Sequence, residues 1–135
     1  MTIARALAVM AAIYVAQIVL VESLDIYSRW PDFDVLMHFL GGAGAGLLGI
    51  ALHERWTTRK HREELPRAYH GLFVIGVVMG IALAWEFHEF ILDALNAGSE
   101  GWRLMQPSIA DTMLDLLMGL VGGGAVFAWY SKNKR

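Results

Sequence analysis

The chain has 135 residues, 56% of them hydrophobic, with 11 Lys and Arg set against 13 Asp and Glu. The length suits one domain, and the apolar share exceeds the usual globular value. Without cysteine the chain has neither disulfides nor thiolate metal sites, and no basic stripe interleaved with aromatics marks a nucleic-acid partner.

Residues 3–21 form the first apolar run, with Arg5 near its start and Gln17 as its only other polar member. Such a run is long enough to cross a bilayer core of about 30 Å at about 1.5 Å per residue. A cleaved signal peptide is the rival reading. The run is long for that, and no small-x-small site follows, so a retained helix is expected. An acidic connection ends at Trp30-Pro31, where the proline breaks the chain before the next helix. Residues 35–52 are the second run, rich in glycine; Gly42 and Gly46 match the small-xxx-small pattern by which membrane helices approach closely.

The charged segment His53 to Arg67 separates this from the third run, residues 69–92, which carries Gly76, Gly80 and Ala84 along one face. A polar link from Asn96 to Pro107 leads to the fourth run, residues 109–129, with Gly119 and Gly123 at the same spacing and the basic tail Lys132, Lys134 and Arg135 behind it. Four such runs with short links predict an all-α polytopic membrane protein, a single antiparallel bundle of four transmembrane helices. A soluble four-helix bundle would need a polar stripe on every helix, and the first run has none.

The charges divide by side. Arg5, Arg55, Arg59, Lys60, Arg62, Arg67, Lys132, Lys134 and Arg135 fall in the terminal segments and the middle loop. The other two loops and adjoining helix ends hold only Arg29 and Arg103 as bases, among Glu22, Asp25, Asp32, Asp34, Glu86, Glu89, Asp93, Glu100, Asp111 and Asp115. The positive-inside rule then places both termini and the middle loop on the cytoplasmic side. Trp56, Tyr69, Trp129 and Tyr130 join the inner aromatic belt, and Tyr27, Trp30 and Trp102 the outer one.

That topology gathers the polar residues of the helices. Asp34 and His38 share a face at the start of the second run; Glu86, Glu89 and Asp93 share one at the end of the third; Asp111 and Asp115 share one at the start of the fourth. All fall in a layer just below the extracytoplasmic surface. Carboxylates held this close need a cation, or else some take up protons. Carboxylates with one histidine and no thiol suit Mg, Mn, Zn or Fe(II). The expected metal ligands are His38, Glu86, Glu89, Asp111 and Asp115, with Asp34 and Asp93 at the rim, and Glu86 and Glu89 as the catalytic pair. A metal could there make bound water a nucleophile against an ester or phosphoester of a lipid or envelope substrate.

Other readings fit the same residues. The carboxylates could lock the bundle by hydrogen bonds, neutralised by Arg29 or Arg103, and Asp34 and Asp111 could serve helix N-termini through the macrodipole. A non-catalytic membrane subunit or scaffold would use its glycine-lined faces to dock partner helices or a second copy. An ion or proton conductor would need a continuous polar route, which the apolar inner halves lack. His88 points away from Glu86 and Glu89, toward a headgroup; His53, His61 and His70 are expected as solvated surface.

Asp34-xxx-His38-Phe39-xx-Gly42, Trp85-Glu86-xx-Glu89-Phe90 with Asp93, and Asp111-Thr112-xx-Asp115-Leu116 with Gly122 to Gly124 together resemble the YjdF-like bacterial inner-membrane proteins. More loosely the pattern is similar to VanZ-like proteins, whose second helix carries a histidine, third a glutamate and fourth an aspartate. The resemblance covers about Asp34 to Gly124 and implies a four- or five-helix membrane fold with its site at these residues. The chain departs from the VanZ-like pattern at Glu89, where glutamine is commoner, and after Asp115, which lacks the Asp-x₃-Asn run.

Overall fold

The computed structural model describes residues 1–133, and of Glu22 only the backbone; Lys134 and Arg135 of the basic tail, and the Glu22 side chain, lie outside the described residues. The four apolar runs form α1 (Ile3–Leu24), α3 (Phe33–Trp56), α5 (Arg67–Asn96) and α6 (Ile109–Asn133), all long and apolar enough to cross a membrane. Each extends past its apolar stretch, because the flanking polar residues also favour helix. Two short helices, α2 (Ile26–Arg29) and α4 (Arg59–Glu64), occupy what reads in the sequence as plain connection. The Thr2 hydroxyl accepts from the Arg5 amide to start α1, and Thr58 does the same for His61 at the start of α4.

The helix α3 is the centre of the bundle, packed on α1, α5 and α6. Its glycines explain why. A methyl group at Gly42 would run into the backbone of Gly119, and one at Gly122 into the Phe39 carbonyl. One at Gly46 would lie 3.1 Å from the Gly123 Cα. The small-xxx-small pairs of α3 and α6 therefore face each other, backbone against backbone, where dispersion between close surfaces holds membrane helices together. On the α5 side Gly49 admits Val74, and Gly123 admits Val78; these valines join Ala45 and Ile50 in the apolar core.

Gly76 and Gly80 of α5 behave differently: nothing lies within 4 Å of where their Cβ atoms would be, so this stripe faces out of the bundle. The helix α1 is also loosely held, with 6% of its apolar window buried. His53 corrects the expectation of a solvated histidine. It is buried, because α3 continues beyond the apolar run and carries it under the rings of Tyr69, His70 and Phe73. Nearby, Tyr130 donates to Glu54, and the N-terminal amine lies 3.5 Å from the same carboxylate.

Candidate functional site

Where α3 begins, α5 ends and α6 begins, one imidazole stands among carboxylates. The Nδ1 of His38 is 3.7 Å from Glu86 Oε1, and its Nε2 is 3.8 Å from both Asp34 Oδ1 and Asp115 Oδ1. These separations exceed hydrogen-bond length. Glu89 joins His38 and Glu86 in one group of mutually close donors; Asp34, His38 and Asp115 form a second, in each case with one donor atom per residue within 4.8 Å of the others. The spacing follows from helical period: Glu86 and Glu89 face inward one turn apart on α5, while the close α3–α6 contact brings Asp115 beneath His38.

The burial is deep. Glu86, Glu89 and Asp115 are 3%, 2% and 2% exposed. Each carboxylate has one oxygen without a hydrogen-bond partner among the described residues: Glu86 Oε1, Glu89 Oε2 and Asp115 Oδ2. The other oxygens of the two glutamates are tied to neutral donors. The Trp85 indole donates to Glu89 Oε1 at 2.7 Å, and the Gln106 amide donates to Glu86 Oε2 at 2.7 Å. Arg29 and Arg103 make no ion pair with these carboxylates among the described residues; the Arg103 guanidinium instead lies 4.5 Å from the centre of the Tyr27 ring.

Asp34 is held from the other side by a short relay. Gln17 of α1 donates to the Tyr27 hydroxyl at 3.2 Å, and Tyr27 donates to Asp34 Oδ1 at 3.1 Å. Burial, then the neighbouring Asp34 carboxylate, push the Tyr27 phenol above its ordinary range, so it stays protonated and able to donate.

Asp93 and Asp111 stand apart from this group. The Asp93 carboxylate accepts from the Trp102 indole at 3.0 Å and from the amides of Met105 and Gln106 at 3.0 and 2.9 Å, which folds the polar link back over the end of α5. Gly98 and Gly101, with φ of 85° and 78°, make the reversal that this return requires. Asp93 thereby delivers Gln106 to Glu86. Asp111 is half-buried in the first turn of α6, with Oδ2 unpartnered among the described residues, and belongs to neither close group. His88 is exposed, its ring 5.1 Å from that of Trp85.

Gln106, Trp85 and Tyr27 escape a reading of spacing alone. The one advance signal in their surroundings is Gln17, a single amide in an otherwise apolar run.

The family model described as "Predicted membrane protein (DUF2238)" matches residues 1–135. The chain belongs to the DUF2238 family. It is accordingly a multi-pass membrane protein whose helices sit in a lipid bilayer. No curated protein and no solved structure matches it.

Proposed function

We propose that the cluster binds a divalent cation and that the protein is a metal-dependent hydrolase or transferase acting on a lipid or envelope substrate. The observation that carries this reading is a set of three buried carboxylates around one imidazole, each with an oxygen unpartnered and none paired with Lys or Arg among the described residues. Buried carboxylates left this way are costly. Ligands about 2.1 Å from one ion stand about 3 to 4 Å apart, and His38 Nδ1 and Glu86 Oε1 lie 3.7 Å apart. His38, Glu86 and Glu89 hold the ion, since Gln106 and Trp85 pin the second oxygens of both glutamates. Asp34 and Asp115 then accept from the other ring nitrogen and orient the imidazole. Asp111 lies near enough in sequence to Asp115 to widen the site toward substrate, and Asp93 supports it through the loop.

The donor set, oxygen-rich with one imidazole, suits Mg, Mn, Zn or Fe. Such an ion would supply Lewis acidity and a water of lowered pKa. The chain's own contribution is to hold the ligands, to exclude bulk water with the 97–108 loop, and to offer Glu86 or Glu89 for proton transfer. The pattern of acidic and histidine residues is read as YjdF-like, with the VanZ-like similarity secondary. If the reading holds, Glu86→Gln accumulates in the membrane but loses all turnover on a panel of phospholipid and phosphoester substrates, while the wild type turns one over in a chelator-sensitive way. Chelator-insensitive turnover that survives Glu86→Gln would sink it.

The bases of α4 and its flanks favour placing both termini in the cytoplasm of a bacterial inner membrane, with the cluster near the outer face. Because the chain has no cysteine, single cysteines at Ser99 and Thr58 test this: an impermeant thiol reagent should label the first from outside and the second only after lysis. A second reading, a scaffold for a partner helix or another copy, draws on the outward-facing Gly76 and Gly80. It requires that Gly76→Leu or Gly80→Leu abolish function while Glu86→Gln is tolerated.

A further inference from the structure

A cavity of about 310 Å³ lies between α1, α3 and α5, and His38 forms part of its wall. Apart from His38 and Gln17 the lining is apolar or aromatic, including Met10, Ile13, Gly41 and Ile81. Tyr14 and Trp85 line it too, and their rings meet edge to face at 5.8 Å, joining α1 to α5. From Met10 to Gln17 the groove follows α1 for about 10 Å at the helical rise. Its polar residues, Gln17 and His38, gather at the cluster end.

Gly41 opens this space from the α3 side. Its neighbour Gly42 is required by contact with Gly119, whereas nothing lies within 4 Å of a Cβ at Gly41. Any larger side chain there would project into room that the glycine leaves open. A second hollow, of about 400 Å³ between α1 and α3, offers a contrast: it is lined by Val9, Leu20, Leu40 and other apolar side chains, with no polar group. It suits ordinary contact with the bilayer. Only the first groove ends on a titratable side chain that also belongs to the carboxylate cluster.

We propose that the groove between α1, α3 and α5 binds the upper part of one acyl chain of a membrane phospholipid and presents its headgroup end to Gln17 and His38. An apolar slot with a few polar groups at one end orients an amphiphile in this way, and no water-filled route is needed for a chain that enters sideways from the bilayer. The inference deepens the proposed function by naming the substrate's tail and rests on it only for what happens at the headgroup; chain binding itself does not depend on a metal.

The test uses the full chain in vesicles of phosphatidylethanolamine and phosphatidylglycerol, with a phosphatidylglycerol carrying a diazirine in the middle of one acyl chain. After illumination, peptide mapping should show Met10 and Ile81 labelled about tenfold above Leu20 and Leu40 of the second hollow. Gly41→Leu should remove that excess, because its side chain fills the groove from the α3 wall. If Gly41→Leu does not accumulate, Ala11→Phe narrows the same groove from α1. Equal labelling of the two hollows, or labelling that neither variant lowers, overturns the proposal. Labelling that behaves as described in a protein that binds no metal leaves this inference standing and removes the hydrolase.

Discussion

The middle and the start of α3 solve opposite problems. Along its middle, α3 meets α6 through Gly42, Gly46, Gly119 and Gly123, and meets α5 through Gly49 and Val74. On these faces the glycines let backbone approach backbone or a neighbouring side chain at contact distance. At its start the same helix places His38 among Glu86, Glu89, Asp34 and Asp115, 3.7 to 3.8 Å from Glu86, Asp34 and Asp115, with an oxygen of Glu86, Glu89 and Asp115 unpartnered among the described residues. A fold that packs its backbones this closely a turn or two away does not need a loose polar layer for stability. A cluster kept despite such a cost is what the proposed cation site requires and a structural lock does not.

Breaking the packed region should have the largest effect. Gly122→Ala drives a methyl into the Phe39 carbonyl and the Ala43 amide, so it should lower stability by about 3 kcal/mol or prevent accumulation. Thermal unfolding in detergent checks this. Next in size, the pair Glu86→Gln and Glu89→Gln should weaken divalent-metal binding by about 100-fold or more without lowering the melting temperature of the metal-free protein, since buried negative charge is removed. Titration calorimetry and a melting curve read the two together. A large fall in metal-free stability would instead make the cluster a lock.

Smaller changes sharpen the same contrast. Gln106→Ala leaves the ligands in place but frees Glu86 Oε2, so metal affinity should fall about tenfold. Asp93→Ala should release the loop: hydrogen exchange at the Met105 and Gln106 amides, which Asp93 accepts from, should speed by about tenfold or more. Smallest of all, Gly76→Ala and Gly80→Ala on the open face of α5 should change stability by less than about 0.5 kcal/mol. A larger loss there would reveal a partner helix against that stripe.

Much of the architecture is legible in the chain because it rests on long, unbroken physical signals. Four apolar runs of bilayer length can hardly be anything but spans, and small-xxx-small pairs mark close approach before any partner is known. What spacing cannot give is pairing: Gly76 and Gly80 carry the same pattern as Gly42 and Gly46 yet face outward. The site divides in the same way. Helical period is enough to aim Glu86 and Glu89 together and His88 elsewhere. The role of Asp93 depends on backbone amides of a loop without periodicity, and those of Gln106 and Tyr27 on contacts between separate elements. His53 was hidden for a related reason, because a charged flank conceals how far α3 continues as helix.

Whether the carboxylates around His38 hold a cation can be read from elemental analysis of the detergent-purified protein beside a His38→Ala, Glu89→Ala variant. A cation site requires about one equivalent of Mg, Mn, Zn or Fe in the wild type, or its uptake on adding that ion, and none in the variant. Equal metal content in both proteins, or none in the wild type after loading with each ion, would contradict it.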